Sequence, residues 1–406
     1  MHLTAPVRVA VIDIAANALG LVFWAVAAHL RPPSVVGQAS AGVAALTLLA
    51  VIAQLNLTNV IVRLLPTAGR LGTGLVQRGY LVVIFFSVVT GAVYCLSGLG
   101  RHVVPGGFAP IATFVLAVPV LAVFALEDSA LTALRLTPWV AVENISTAVA
   151  RVALLPLFAA TAMGAVAAWV LPALAAAVAV NSLLFRRALP AHGTVPGTLP
   201  GRRRLLSFVA AEYAGNICAT ATMQVMPLLV VWRLGTAAAA YLTLPWLIAS
   251  GISLVMWNVA ASFVVETAGS RGHPDALLRR SLLLWAGITA GAMIVCVAGA
   301  RPLLGILGGS YAAYGVTLLQ LIGLSSPFTA MVVLYAMLAW LDQRVWLLAG
   351  FQACAGTLLL VLTLMLLPRL GLTAVGWAYF ATQAATAAVV TPFAVRRIER
   401  GEFRRT

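Results

Sequence analysis

The chain has 406 residues, of which 62% are hydrophobic and 9% charged, with a mean hydropathy of +1.04; soluble globular chains carry about 25% charged residues. No soluble fold could hide so much apolar surface, which excludes a cytosolic enzyme or a nucleic-acid-binding domain. The formal charge of +15 comes from Arg alone, because the sequence has no Lys, and in a membrane chain such an excess maps the cytoplasmic loops.

A spanning helix needs about 20 mostly apolar residues, since lipid offers no water to backbone groups and the helix must bond them internally. The hydropathy pattern places spans at 9–30, 35–62, 80–98, 109–131, 139–160, 164–185, 207–232, 236–264, 281–299, 314–340, 345–367 and 372–395. The first stretch is too long for the apolar region of a secretory signal and reads as a retained span. With the N-terminus inside, 19 of the 25 basic residues fall in cytoplasmic segments. Arg31, Arg101, Arg233, Arg301 and Arg369 fall one per loop on the other side, and Arg151 lies within the fifth span. That asymmetry sets an expectation of both termini in the cytoplasm.

The longest loop contains Pro190, Pro196, Pro200 and the run Arg202, Arg203, Arg204, and reads as a cytoplasmic linker, 191–206, between halves 1–190 and 207–406. Scarce intramembrane polar residues recur between these halves at one offset: Asp13 with Glu212, Asn17 with Asn216, and Asn59 with Asn258, each 199 residues apart. Six spans per repeat gives both halves the same orientation, as in parallel-repeat transporters.

Ionisable groups within a bilayer are costly and normally face a bundle interior or a wet cavity. Asp13 and Asn17 lie four apart on one helical face, and Glu212 with Asn216 repeats that geometry. They either form facing polar patches, with a carboxylate that exchanges a proton or ion, or sit hydrated at the cytoplasmic helix ends. Asn56, Asn59 and Arg63 form a stripe along the second span, answered in the eighth by Ser250, Ser253, Asn258 and Ser262; such a stripe bonds another helix or lines water. Arg151 is the most deeply placed cation: it either grips a phosphate through its fork or pairs internally with Glu127, Asp128 or Glu143.

The five histidines, His2, His29, His102, His192 and His273, have no metal-binding or catalytic spacing, and Cys95, Cys218, Cys296 and Cys354 read as packing residues. A Walker motif requires a Lys and is absent. The expectation is a non-enzyme without metal or cofactor, whose surroundings are membrane lipids and which takes no nucleic acid.

The run FWAVAAHLRPPSVVGQASAGVAALTLLAVIAQLNLTNVIVRLLP, Phe23 to Pro66, resembles the first hairpin of bacterial polysaccharide flippases in the multidrug/oligosaccharidyl-lipid/polysaccharide exporter superfamily. Gly37 matches the small-residue turn and Arg63 the Arg closing the second span. PLLVVWRLGTAAAAYLTLPWLIASGISLVMWNVAASFV, Pro227 to Val264, resembles a second copy with Gly235 at its turn, and Leu307 to Gln343 is similar to the family's glycine-rich loop and tenth span. The resemblance implies an all-α integral membrane protein of about twelve transmembrane helices, in two parallel six-helix lobes around a central cavity. It further implies flipping of a polyprenyl-diphosphate-linked oligosaccharide across a bacterial inner membrane, for polysaccharide biosynthesis alongside glycan-assembly enzymes. Arg151, Arg63, Asn59, Asn258, Asn17 and Asn216 are then the candidate substrate residues, and Asp13 and Glu212 the candidates for ion coupling.

A multidrug/cation antiporter of the same superfamily is the competing reading. It needs a titrating acid deep in the bundle, and Asp13 and Glu212 sit only a few residues into their spans. A major-facilitator transporter would show an Asp-Arg-x-Gly-Arg-like turn, which PTAGRLGTGLVQRG matches only in part. A glycan polymerase would carry a large outer loop, which this chain lacks.

Overall fold

The computed structural model describes residues 5–158, 160–193, 197, 202–269, 274–341 and 345–399; the side chains of residues 5–16 and 202–212, among others, fall outside the description. Most of the expected linker, 191–206, lies outside the described residues. Those described form α1 (Ala5–Leu30), α2 (Pro33–Gln54), α3 (Leu57–Ala68), α4 (Gly72–Leu96), α5 (Phe108–Ala133), α6 (Thr137–Phe158), α7 (Ala162–Leu183) and the short α8 (Leu189–His192). There follow α9 (Arg202–Leu234), α10 (Thr236–Gly269), α11 (Pro274–Met293), α12 (Ala300–Gly305), α13 (Gly309–Leu341), α14 (Val345–Leu370) and α15 (Thr373–Glu399). Ten described segments are long and apolar enough to cross a bilayer, and α1 and α9, of 26 and 33 residues, supply rods where the first and seventh spans are expected. The fold is the all-α membrane class with about twelve spanning helices that the apolar pattern implies.

Two local expectations are corrected. The second span is not one helix over 35–62: it breaks between α2 and α3, where Leu55 (φ 48°) and Asn56 (φ 59°) both adopt the left-handed conformation. A β-carbon makes that conformation unfavourable by roughly 1–2 kcal/mol, and Asn tolerates it far better than Leu. Interhelix bonds hold the interruption: Gln54 Nε2 donates to the Ala122 carbonyl of α5 at 3.4 Å, and Tyr213 Oη of α9 donates to the Ile52 carbonyl at 2.7 Å. Such partners satisfy backbone that a broken membrane helix would leave bare.

The second correction concerns Gly37, which is not in the turn but inside α2. A β-carbon there would collide with the backbone of Thr236 and Ala240 at the start of α10, so the glycine permits a backbone-to-backbone approach. Gly235, by contrast, does form its turn, with φ 87°.

The contacts resolve two compact units, Val22–Ala240, and Tyr241–Thr406 together with Met1–Leu21. In the first, α2 presents a run of small buried residues, Gly37, Ala39, Ser40, Ala41, Gly42, Ala44 and Ala45, and neighbouring helices close on it around Phe23, Leu46, Ile61, Phe114, Leu126 and Leu131. In the second, α13 packs along α15 and against α11. Its core joins Met256, Phe263, Trp285, Val333, Met337 and Leu338, with Trp285 Nε1 donating to the Met256 carbonyl at 3.1 Å.

Candidate functional site

The residues singled out from sequence do not gather into one place. The side chains of Asp13, Glu212 and Asn216 lie outside the described residues, and Asn17 is half-buried on α1. Asn59 is exposed and donates from Nδ2 to Asn56 Oδ1 at 2.8 Å, so the break in the helix ties part of the polar stripe to itself, while Arg63 faces outward on α3. In the other unit, Asn258 is half-buried on α10 and its Nδ2 is buried without a hydrogen-bond partner among the described residues.

Arg151 lies on α6, seven residues before its end at Phe158, and reaches α7, where Trp169 lies seven residues after the start at Ala162. Each is about 10 Å from that end of the bundle. Arg151 Nε donates to the Trp169 carbonyl at 3.1 Å, and its guanidinium carbon sits 4.3 Å from the centre of the indole ring. Pro172 lacks the donor that would serve the Ala168 carbonyl, which loosens α7 beside the carbonyl that Arg151 takes. Trp169 in turn packs edge-on to Phe23 at 5.0 Å and stacks on Trp24 at 5.9 Å. Among the described residues Arg151 therefore rests on a carbonyl and an aromatic face, and it does not pair with Glu127, Asp128 or Glu143.

Those three acids form the most unusual arrangement in the chain. Glu127 on α5 is fully buried and Glu143 on α6 is 4% exposed, and they are the buried carboxylates among the described residues. Each lies six residues from the turn joining α5 to α6, about 9 Å into the bundle, and their carboxyl groups face one another. Further polar groups converge on them from α4, α6 and α7. Asn181 on α7 donates to Glu127 Oε2 and to the Ala177 carbonyl at 2.8 Å. Tyr80 Oη on α4 donates to Asn181 Oδ1 at 2.6 Å, and Asn144 Nδ2 on α6 donates to Asp128 Oδ2 at 3.1 Å.

Local sequence explains the convergence. Along α7 the buried residues Ala165, Ala168, Ala173 and Ala177 let α5 approach closely enough for Asn181 to reach Glu127. On α6, Glu143 and Thr147 share a face at a spacing of four and are both buried, which turns the acid toward α5 and away from lipid. The cluster is not self-sufficient: Glu127 Oε1, both Glu143 oxygens and Thr147 Oγ1 are buried without a hydrogen-bond partner among the described residues. Unmatched buried acceptors are strongly unfavourable, and a cation placed among them would satisfy several at once. Beside the cluster, a cleft of about 350 Å³ is lined by Tyr80, Ile84, Pro119, Leu174, Asn181 and Phe185, among others.

From sequence, Glu127, Asp128 and Glu143 enter only as possible partners of Arg151, and Tyr80 and Asn181 do not enter at all. The signal that could have found the cluster is scarcity: the chain has ten acidic residues, and a Glu–Asp pair within an apolar run is hard to explain as packing. Among the described residues no group of three or more His, Cys, Asp or Glu has metal-binding geometry.

No family model matches the chain, and no curated protein matches it in sequence. Solved structures do share its fold. An inward-facing multidrug resistance MATE family transporter of the MOP superfamily superposes with a TM-score of 0.68 at 12% identity, over 100% of this chain and 97% of that one. The MATE multidrug transporter DinF-BH in complex with rhodamine 6G gives 0.62 at 16% identity, over 96% and 93%. A MOP superfamily transporter from Pyrococcus furiosus, described as having a binding pocket of reverse polarity that suggests a different function, gives 0.60 at 12% identity, over 97% and 95%. The fold is thus that of these multi-pass membrane proteins.

Proposed function

We propose that the chain is a secondary transporter that exports an organic cation in exchange for an inorganic cation or proton, the multidrug antiporter reading. The observation that carries it is the buried, under-coordinated acid cluster of Glu127 and Glu143. A group that must bind and release a cation has to be enclosed by the bundle yet left short of permanent partners. The shared fold with structures described as multidrug transporters supports this reading. The test is uptake of rhodamine 6G into proteoliposomes holding purified protein, driven by an imposed proton or sodium gradient. Gradient-driven uptake by wild type that is lost in Glu127→Gln with Glu143→Gln supports the reading; equal uptake by the double variant overturns it.

Arg151 favours a second reading. A half-buried guanidinium held by one carbonyl and one indole face retains terminal donors for an anion, as the diphosphate of a lipid-linked oligosaccharide would supply. Reverse pocket polarity is described for a protein of this same fold. In this reading the chain flips the lipid-linked glycan by alternating access in a bacterial cytoplasmic membrane, with both termini inside and glycan-assembly enzymes as neighbours. Arg151, Arg63, Asn59, Asn17, Asn216 and Asn258 then touch substrate, and Asp13 and Glu212 remain candidates for coupling. Arg151→Ala separates the readings: it abolishes transfer of a lipid-linked oligosaccharide if the glycan is the substrate, and leaves rhodamine uptake intact if the organic cation is.

A further inference from the structure

The unit Tyr241–Thr406 carries a second polar feature, independent of the transport reading. At the start of the span Leu278–Ala298, the face of α11 that looks away from the core bears Arg279 and Arg280, with Leu283 and Leu284 one turn further along. The spacings of three and four put the two guanidinium groups directly above the two leucines. The opposite face is fixed: Leu278, Ser281 and Trp285 are buried, with Trp285 bonded to the Met256 carbonyl. The helix therefore cannot roll to redistribute these residues.

Arg279 and Arg280 are both exposed, and among the described residues neither has a carboxylate partner. Leu283 and Leu284 are 64% and 47% exposed, as expected of side chains that meet lipid. The four residues line a recess of about 470 Å³, large enough for a small-molecule-sized group. Two adjacent cations at the end of an apolar span, above a leucine floor, match one kind of molecule in charge and in polarity.

We infer that this recess is a binding site for an anionic glycerophospholipid, its phosphate held by Arg279 and Arg280 and its acyl chain lying along Leu283 and Leu284. A guanidinium fork bonds a phosphate through two parallel N–H donors, and two forks favour a headgroup of net negative charge over a zwitterion. The leucines require that the phosphate come attached to hydrocarbon, so the ligand is the membrane lipid and not free phosphate. A lipid bound there would pin the end of α11 at the level of the headgroups.

The test uses full-length protein in nanodiscs of phosphatidylcholine, titrated with phosphatidylglycerol and read by native mass spectrometry for retained lipid and by Tm. Wild type retains phosphatidylglycerol selectively and its Tm rises with the anionic fraction. Arg279→Gln with Arg280→Gln binds it roughly 30-fold more weakly and loses the Tm rise, while Arg279→Lys with Arg280→Lys restores most of the affinity. Leu283→Ser with Leu284→Ser weakens binding without altering the preference for the anionic headgroup. If the Gln variant fails to assemble, the serine and lysine variants still decide the matter. Equal retention of the two lipids by wild type, unchanged affinity in the Gln variant, or full displacement of lipid by millimolar inorganic phosphate would each overturn the assignment.

Discussion

The two units handle buried polarity in opposite ways. In Val22–Ala240 the buried polar residues include two carboxylates, Glu127 and Glu143, and a helix broken at Leu55–Asn56. In Tyr241–Thr406 the buried polar residues among those described are hydroxyl-bearing: Thr243, Ser281, Ser325, Ser326, Thr329, Thr363, Thr382 and Thr386. Several of these simply return to their own helix, as when Ser325 donates to the Ile322 carbonyl at 2.7 Å and Thr386 to the Thr382 carbonyl at 2.7 Å. Where α2 and α3 are interrupted, α10, which carries the matching polar stripe, runs unbroken from Thr236 to Gly269. One unit keeps strain and unmet charge, and the other satisfies its polar groups locally; strain and unmet charge are the signs of a working site.

Substitutions sharpen that contrast. The largest effect is expected at the acid cluster: Glu127→Met abolishes gradient-driven rhodamine 6G uptake and at the same time raises Tm. Replacing a buried, poorly satisfied acid with an apolar side chain of similar volume is neutral or stabilising by about 1–4 kcal/mol. A fall in Tm with transport retained would make Glu127 a structural residue and erase the difference between the units. Next, Met337→Ala, in a fully buried core position, destabilises the second unit by about 2–5 kcal/mol in a denaturant titration, without changing which ion drives transport.

Gly37→Val comes third. Its side chain meets the backbone of Thr236 and Ala240, and overpacking of this kind amounts to about 1–3 kcal/mol, read as lower Tm and reduced yield of folded protein. The smallest effect is a gain: Leu55→Gly relieves a left-handed leucine (φ 48°) and stabilises by about 1 kcal/mol. A loss at that position would mean that the leucine side chain contributes more to packing than its backbone forfeits.

The rods were legible because their physical cause is local. A run such as Phe108–Ala133 is apolar throughout, and only a membrane accounts for a dozen such runs in one chain. The break after Gln54 was not legible, because Asn56, Asn59 and Arg63 keep helical spacing straight through it, and the bonds that hold it come from Ala122 and Tyr213, far away in sequence. Gly37 could be recognised as special, but whether a glycine serves a turn or a close approach depends on what lies opposite, here Thr236. The candidate site was the least legible part. Tyr80, Glu127, Glu143 and Asn181 sit on four helices, and no spacing rule links them until the small residues of α7 bring α5 within reach.

The central claim is that the unit Val22–Ala240 binds the driving cation between Glu127 and Glu143. Its most direct measurement is isothermal titration of purified protein with protons and with sodium, without transport substrate, comparing wild type with Glu127→Gln and Glu143→Gln. Saturable uptake of one cation by wild type, lost in either variant while the fold and Tm are kept, is the predicted result. Cation binding that survives both substitutions unchanged would contradict the account.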